Sequence, residues 1–392
     1  MVKQSEVTIG TAGHVDHGKT SIIKALTGEW VSKYSEELER GITIKLGYTE
    51  MIVYECEKCG KILKKEECEC GGPVSEKRRI AFLDCPGHES LTTVMLSGAT
   101  LMDGALLVIA ANEPVPQPQT LEHLLALNAA GIKNIIIIQN KIDLVSEKEA
   151  RENYLQIKNF VKNTVAENAP IIPIAAHQEV NIDALLYAIE KYIPTPKRDL
   201  EATPKMYIAR SFDVNKPGEK IEKLKGGVIG GSLVCGKIKV GDRIQILPGI
   251  EQKDGYSPIK TKVTSISCKW GMLEEAVPGG LIGLGTTLEP ALTKNDYLSG
   301  NLVCFDGVQV NIEKDITMEV HNLIPETEQL KKGETIVVTC ATITSIGTVQ
   351  EIKKDKVRVL LKKPVPAEKG QKLGIIRRLK NRWSLFGYGI KC

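Results

Sequence analysis

The first half of the chain alternates short apolar runs with helical patterns. Five runs read as buried strands that end in polar or glycine-rich residues: SEVTIGTAGH, RIAFLDCPG, GALLVIAAN, NIIIIQNKID and APIIPIAA. TSIIKALTG has the spacing of a helix that follows the first of them. Strands that alternate with helices form parallel sheets covered on both faces, so residues 5–193 predict an α/β domain with a mostly parallel sheet. Ligands bind such sheets at the carboxyl ends of the strands.

The pattern changes after a proline-rich stretch, YIPTPKRDLEATP at 192–204. Short alternating runs with glycine turns follow, as in GGVIGGSLVCGKIKVGDRIQILPG. This pattern is typical of β-barrels, and a second break near 305–314 divides it into two. We therefore predict a first domain over 1–202, a β-barrel over 203–310 and a second β-barrel over 311–392.

The composition is that of a globular protein with several domains. The chain has 392 residues, 42% hydrophobic and 26% charged, and is too long for one ordinary core. Its apolar runs are too short to span a membrane, and the amino terminus MVKQSEVTIG lacks a secretory segment. We therefore expect a cytoplasmic protein with no membrane partner. A net charge of +4 is too small to indicate a nucleic-acid partner by itself.

The segment GHVDHGKT at 13–20 fits the phosphate-loop pattern G-x-x-x-x-G-K-[ST] between a strand and a helix. Its glycines let backbone N–H groups turn toward a phosphate at a helix N-terminus. We expect Lys19 to reach the β- and γ-phosphates and the Thr20 hydroxyl to bind Mg²⁺. A chance pattern in a glycine-containing turn is the alternative. The residues predicted to contact the nucleotide here are His14, Val15, Asp16, His17, Gly18, Lys19, Thr20 and Ser21.

A second motif, NKID at 140–143, follows another buried strand. We expect Asn140 and Asp143 to hydrogen-bond the guanine edge while Lys141 packs over the base. A carboxylate that accepts from two guanine donors discriminates strongly against adenine, which lacks them. Alone, the motif is also compatible with a strand-end turn in which Asp143 caps a helix.

A third motif, DCPGH at 84–88, supplies residues for Mg²⁺ and for the attacking water. Asp84 would hold Mg²⁺ through water, and the Gly87 N–H would meet the γ-phosphate. His88 would position the water for hydrolysis, the alternative being a packed or solvated loop histidine. Upstream, Thr43 in ERGITI is a candidate second protein ligand of Mg²⁺, although its residue type alone favours a strand threonine. The predicted catalytic residues are His88, Lys19 and Thr43.

Four of the ten cysteines cluster in YECEKCGKILKKEECECGG. C-x₂-C followed by C-x-C supplies the four thiolates that a closed tetrahedral Zn²⁺ site requires, and nearby lysines would offset their charge. Two disulfides are the alternative, which a reducing compartment disfavours. We predict one structural Zn²⁺ in a knuckle over about 54–73, inserted in the first domain. Its ligands are Cys56, Cys59, Cys68 and Cys70.

G-H-V-D-H-G-K-T, R-G-I-T-I, D-C-P-G-H and N-K-I-D, in this order and followed by two barrels, resemble the translational GTPases of the elongation factor Tu type. ANEPVPQPQTLEHL, SFDVNKPG and LKGGVIGGSLVCGKIKVGD most resemble the gamma subunit of archaeal and eukaryotic initiation factor two. The resemblance covers essentially the whole chain. It implies GTP-dependent binding of methionylated initiator tRNA, a heterotrimer with alpha and beta subunits, and delivery to the small ribosomal subunit, with GTP hydrolysis as the release switch.

The resemblance also implies a guanine-contacting loop at IAAHQ, residues 174–178. It adds Ala175, Ala176 and His177 to the residues expected at the nucleotide. Relatives commonly have Ser-Ala here, so Ala175 lacks the hydroxyl that braces the loop, whereas Ala176 still offers its backbone N–H. Asp16 and Gly41 are further candidates, for a second Mg²⁺. The expected cofactors are GTP or GDP, Mg²⁺ and Zn²⁺.

Three other functions stay open on this scaffold. A selenocysteine-type tRNA carrier is the nearest, and it should have a further domain beyond the barrels. A metabolic GTPase would activate a partner enzyme, such as a sulfate adenylyltransferase. An RNA-binding scaffold would hold a nucleotide without turning it over. Binding of charged initiator and elongator tRNA with GTP and with GDP separates these classes.

Overall fold

The structure is a computed structural model that describes residues 2–31, 47–86, 92–216, 218, 220–253, 255–324, 328–379 and 382–392. It divides into two compact units, each described by itself. One comprises Glu6–Pro196 and Ile376–Gly387, and the other Met1–Ser5, Lys197–Ile375 and Tyr388–Cys392. Four residues of the sequence predictions lie outside the described residues: Gly41, Thr43, Gly87 and His88.

A seven-stranded sheet forms the base of the first unit. Its strands are β1 (Val7–Gly13), β2 (Gly47–Cys56), β3 (Ile62–Leu63), β4 (Val74–Asp84), β5 (Gly104–Ala110), β6 (Ile135–Asn140) and β7 (Ile171–Pro173). They lie in the order β3-β2-β4-β1-β5-β6-β7. The five strands predicted from the sequence, β1 and β4 to β7, run parallel, whereas β2 and β3 are antiparallel additions at one edge. The sheet is therefore mixed, and the predicted α/β fold is confirmed.

Helices pack on both faces of this sheet. They are α1 (Lys19–Thr27), α2 (Thr92–Ala99), α3 (Pro118–Ala130), α4 (Glu147–Phe160) and α5 (Ile182–Tyr192). Leu106 and Val108 of β5 share one buried core with α1 and α5. Since strand side chains alternate, Leu107 points to the opposite face. None of the described helices is both long and apolar enough to cross a bilayer.

The parallel register brings the predicted motifs to one edge of the sheet. Gly13, the last residue of β1, lies beside Val108 of β5. Two residues further along β5, Ala110 lies beside Asn140, the last residue of β6. Asp84 ends β4, which neighbours β1, and β5 separates β1 from β6, so the phosphate loop and the two later motifs start from strand ends at one edge of the sheet.

The second half of the chain forms two closed six-stranded barrels, as predicted. The first contains β8 (Lys205–Phe212), β9 (Val228–Cys235), β11 (Arg243–Gln252), β12 (Gly255–Cys268), β15 (Ile282–Thr286) and β16 (Leu302–Phe305). Short strands accompany it: β10 (Ile238–Lys239), β13 (Gly271–Leu273) and β14 (Glu275–Ala276). The second contains β17 (Glu313–Asn322), β18 (Thr335–Cys340), β19 (Ile343–Lys353), β20 (Lys356–Val365), β21 (Lys372–Leu379) and β22 (Arg382–Lys391).

A buried arginine joins the sheet to the end of α5. The Arg78 Nε atom, on β4, donates to Glu190 Oε1 at 2.7 Å, and both side chains are at most 9% exposed. Its Nη atoms donate to the carbonyl oxygens of Ile193 at 2.9 Å and Ile189 at 3.2 Å. The Ile193 carbonyl lies just past the helix end, where the helix provides no donor, whereas the Ile189 carbonyl also accepts from the Ile193 N–H at 3.0 Å. Arg78 thus neutralises a buried carboxylate and caps α5 at once.

Arg78→Ala should destabilise the first unit by about 3–5 kcal/mol, because it leaves the Glu190 carboxylate buried without its partner. Urea unfolding followed by far-UV circular dichroism measures this, since all α-helices of the described residues lie in this unit. Arg151→Ala is the matched control. Arg151 pairs with Glu147 on the exposed face of α4, and its loss should cost less than about 1 kcal/mol. Equal effects of the two substitutions would contradict the buried network.

Candidate nucleotide site and cysteine cluster

The phosphate loop between β1 and α1 needs glycine at two positions. Gly13 has φ +134° and Gly18 has φ +96°, in the region that side-chain-bearing residues rarely adopt. A Cβ on Gly13 would lie 2.2 Å from the Val108 carbonyl oxygen, and one on Gly18 would lie 2.3 Å from Asn140 Nδ2. Both distances are too short for a real Cβ atom. Val108 and Asn140 therefore pack directly against the loop backbone.

The side chain of Lys19 folds back into this loop. Its Nζ atom donates to the carbonyl oxygens of Gly13 at 3.0 Å and His14 at 2.6 Å. Burial lowers the pKa of Lys19 to about 8, and the Asp84 carboxylate opposes this shift. The ammonium group therefore lies beside the N-terminus of α1, where backbone N–H groups and the helix dipole favour an anion such as phosphate.

Asp84 sits beside the start of α1 and is completely buried. Its Oδ2 atom accepts from the Thr20 hydroxyl at 2.5 Å, and its Oδ1 atom accepts from the Thr11 hydroxyl at 2.8 Å. Thr11 Oγ1 in turn accepts from the Cys85 N–H at 3.2 Å. Two of the predicted Mg²⁺ ligands, Thr20 and Asp84, are thus in direct contact. Their oxygen atoms are the donor type that Mg²⁺ prefers, so the residues present fit the ion.

Asn140 connects the phosphate loop to the predicted guanine loop. Its Nδ2 atom donates to the His17 carbonyl oxygen at 2.9 Å. Its Oδ1 atom accepts from the Ala176 N–H at 3.2 Å. The same side chain therefore fixes the backbone of both loops, and it is only 2% exposed.

The predicted guanine loop is braced by its own backbone. Ala175 N–H donates to Val180 O at 3.4 Å, and Val180 N–H donates to Ala175 O at 3.1 Å. This closed bridge holds the loop although Ala175 has no hydroxyl. Ala176 is buried and His177 is exposed. Asp143, also exposed, accepts from Gln178 Nε2 at 3.0 Å, so NKID and this loop meet at a second point.

Two of the predicted histidines serve the loop in different ways. His17 is 1% exposed, and its ring nitrogens contact Val108 O at 3.2 Å and Glu113 Oε2 at 3.3 Å. The ring of His14 lies 5.2 Å from that of His17. Burial lowers the pKa of both histidines. His17 thus anchors the loop to β5 through its side chain and to Asn140 through its backbone.

The remaining loop predictions are Val15, Asp16, Ser21 and Lys141. Val15 and Ser21 are partly buried, and Asp16 is exposed. Asp16 and Lys141 have φ of about +60°, at the turns that redirect the chain after β1 and β6. Both side chains thus project from tight turns next to the strand ends.

Sequence reasoning missed two residues of this site. His123 on α3 is 4% exposed, and its Nδ1 atom accepts from the Gly13 N–H at 2.9 Å. Burial lowers its pKa to about 3, which keeps the ring neutral and able to accept. Thr11, which holds Asp84, is the other. The only signals were a histidine on an apolar helix face and a threonine in a buried strand, and both patterns are common in protein cores.

The four clustered cysteines lie at the tip of the β2–β4 hairpin. Their sulfur atoms all lie within 4.8 Å of one another. The sulfur of Cys70 is 3.4 Å from those of Cys56 and Cys68, and the sulfur of Cys59 is 3.6 Å from that of Cys68. These are far longer than a disulfide bond of about 2.05 Å. They approach the edge of a tetrahedron with Zn–S bonds of about 2.3 Å, roughly 3.8 Å. The cluster therefore fits a zinc knuckle.

The lysines around the cluster contact carbonyl oxygens and carboxylates. Lys58 Nζ donates to the Cys70 carbonyl oxygen at 3.5 Å. Lys61 pairs with Glu69 at 3.4 Å. Lys64 instead contacts the nucleotide domain outside the knuckle. The backbone N–H of Cys59 is the main cause that lowers the pKa of Cys56 to about 6.

Three protein-family models match the chain. "Elongation factor Tu GTP binding domain" matches residues 4–195, and "Elongation factor Tu domain 2" matches residues 226–302. "Initiation factor eIF2 gamma, C terminal" matches residues 309–391. Together the three models cover most of the chain in a single order.

Curated relatives are similar over nearly the full length. "Translation initiation factor 2 subunit gamma" of Methanocaldococcus jannaschii is 53% identical, over 99% of this chain and 97% of that protein. The protein of the same name from Pyrococcus furiosus is 51% identical, over 99% of this chain and 98% of that protein.

Solved structures share the fold at lower identity. A bacterial selenocysteine-specific elongation factor, EF-Sec, has a TM-score of 0.79 at 24% identity. The match covers 100% of this chain and 58% of that one. Translation elongation factor SelB from Methanococcus maripaludis, in complex with the GTP analogue GppNHp, has a TM-score of 0.77 at 22% identity and is covered over 80% of its length.

Cys59→Ser should abolish metal binding by the knuckle, because three thiolates leave the tetrahedral site open. Elemental analysis of wild-type protein should find about one zinc per chain, and the variant should have almost none. Amide hydrogen exchange of residues 50–75 should rise in the variant. Cys392→Ser, which removes an exposed cysteine outside the cluster, should change neither readout. Freshly purified wild-type protein with disulfides and no metal would contradict the assignment.

Proposed function

The chain belongs to the translation initiation factor 2 subunit gamma family, and from this premise we propose that it delivers methionylated initiator tRNA to the small ribosomal subunit. It is a translation initiation GTPase, which hydrolyses GTP to GDP and phosphate. The observation that supports the proposal best is the meeting of the phosphate loop, Asp84 and Asn140 at one sheet edge, in a chain similar to gamma subunits over 99% of its length. GTP hydrolysis would then act as the release switch.

In the proposed site, Lys19 exchanges its two backbone contacts for the β- and γ-phosphates. Thr20 and Asp84 would hold Mg²⁺, Asp84 through water. When bound, Mg²⁺ would offset the negative charge of the phosphates. Thr11 and His123 keep the Asp84 carboxylate and the Gly13 N–H in fixed positions. Asp16 and Gly41 are kept as candidates for a second Mg²⁺.

Base recognition is assigned to NKID and the loop at 174–178. Asn140 and Asp143 would bond the guanine edge, Lys141 would pack over the base, and Ala176 would turn its N–H to the base. Ala175 and His177 complete the loop. The contact between Gln178 and Asp143 supports this assignment, since it already places the Asp143 carboxylate beside the loop.

The switch is assigned to three residues outside the described part of the chain. Thr43 would bind Mg²⁺ and Gly87 would meet the γ-phosphate, both only while GTP is present. His88 would orient the attacking water. When the γ-phosphate leaves, both loops lose the ligand that held them.

The partners and the domain limits complete the proposal. The alpha and beta subunits would join this chain in a heterotrimer in the cytoplasm, without a membrane partner. One structural Zn²⁺ would be bound by the four cysteines. The domain limits are proposed at 1–202, 203–310 and 311–392, and each family model lies almost entirely within one of these domains, at 4–195, 226–302 and 309–391. The selenocysteine-type carrier has support from fold similarity alone.

Asp143→Asn should weaken GTP binding and admit xanthine nucleotides, because the amide would donate where guanine also donates. Competition between guanine and xanthine nucleotides in an equilibrium binding assay measures the change. Asp183→Asn, an exposed acid in the first turn of α5, is the matched control and should bind GTP like wild type. Unchanged GTP affinity in Asp143→Asn would remove this residue from the base site.

Initiator tRNA should bind about 5- to 150-fold more tightly with a non-hydrolysable GTP analogue than with GDP, the size of an ordinary allosteric coupling. The test measures the affinity of charged initiator and elongator tRNA in both nucleotide states. His88→Ala should slow hydrolysis and keep the difference, because His88 acts on water. Thr43→Ala should reduce the difference. Equal affinity of wild type in both states would favour the RNA-binding scaffold.

A further inference from the structure

The cysteine knuckle contacts the nucleotide domain at two places outside its own hairpin. Ile62 of β3 is partly buried against the core that contains Ile182 and Leu185 of α5. Two residues later, the Lys64 ammonium donates to the Ala25 carbonyl oxygen at 3.0 Å and to Glu179 Oε2 at 2.5 Å. Lys64 of the knuckle therefore contacts both α1, the helix that follows the phosphate loop, and Glu179, which follows the guanine loop.

The contact with Ala25 lies in the last turn of α1. Carbonyl groups there have no partner within the helix, and the helix dipole makes this end negative. A lysine is therefore well placed at this carbonyl. Because α1 begins at Lys19 and Thr20, a group that fixes its far end also limits movement of the phosphate loop.

The contact with Glu179 lies directly after the guanine loop at 174–178. Glu179 has φ +53° and Asn181 has φ +62°, conformations that persist only where the surroundings hold them. The Glu179 N–H donates to the Ala176 carbonyl oxygen at 3.3 Å. Ala176 is also the residue whose N–H is bound by Asn140.

The lysines around Glu179 also favour the contact between Lys64 and Glu179. Lys64 is the main cause that lowers the pKa of Glu179, and Lys65 and Lys24 act in the same direction. Lys65 is in the knuckle and Lys24 in α1, so Glu179 is attracted by both elements. The negative charge of the Glu179 carboxylate therefore attracts lysines of both the knuckle and α1.

We propose that Lys64 is a positioning residue for the guanine nucleotide, which transmits the order of the cysteine knuckle to the base-contacting loop and to α1. This rests on the proposed function, because it takes residues 174–178 as the loop that meets the base. The knuckle then has a role in nucleotide retention, and a knuckle without metal releases nucleotide faster.

Lys64→Ala should speed release of a fluorescent GDP analogue about two- to fivefold, the range expected for a partly exposed ion pair. Lys61→Ala is the matched control, since Lys61 pairs with Glu69 inside the knuckle and should release GDP like wild type. Lys64→Arg, which keeps a cationic donor for both Glu179 and the Ala25 carbonyl oxygen, should retain most of the wild-type rate. The zinc content of all variants is measured in parallel and should not change.

Transmission from the knuckle is tested with Cys59→Ser. This variant should release GDP faster than wild type, and adding Lys64→Ala to it should have little further effect. Hydrogen exchange at residues 175–181 should increase in both single variants.

Four results would overturn the inference. They are a wild-type release rate in Lys64→Ala, loss of zinc from Lys64→Ala, release by Lys64→Arg as fast as by Lys64→Ala, and fully additive effects of Cys59→Ser and Lys64→Ala. If the wild-type protein binds no guanine nucleotide, both the proposed function and this inference are wrong. If wild type binds GDP and only the Lys64 variants disagree, the proposed function stands and this inference alone is wrong.

Discussion

One carboxamide holds the candidate nucleotide site together. Asn140 carries a donor and an acceptor on the same planar group, and it uses one for the His17 carbonyl and the other for the Ala176 N–H. Its nitrogen also occupies the space that a side chain on Gly18 would need. The phosphate loop and the predicted guanine loop, which are distant in sequence, thus have one common support. The positions of Lys19 and Asp143 relative to each other depend on it.

Much of this arrangement could be predicted from the sequence because it follows from local patterns. Buried parallel strands appear as continuous apolar runs, and their carboxyl ends must meet at one edge of the sheet. That rule alone predicts that Lys19, Asp84 and Asn140 lie close to one another. The cysteine cluster was equally accessible, since its ligand spacing lies within one short segment. The barrels followed from alternation and glycine turns.

The rest depends on contacts that tertiary packing selects. His123 and Thr11 resemble ordinary core residues, and only the packed structure shows that they bond the Gly13 N–H and Asp84. Lys64 was expected to offset thiolate charge, whereas it reaches out to Glu179. The strands β2 and β3 were not predicted, because the knuckle interrupts their pattern. Ala175 suggested an unbraced loop, but a backbone bridge replaces the missing hydroxyl.

The hydrogen bonds of Lys19 have a consequence for the affinity of any anion that the candidate site takes up. The Lys19 ammonium donates to the Gly13 and His14 carbonyl oxygens. An anion that pairs with Lys19 would exchange these internal bonds for its own, so its net gain would be smaller than the sum of its new contacts. The same bonds hold the backbone of the loop in its curve, so that ordering the loop would add little to the cost of binding.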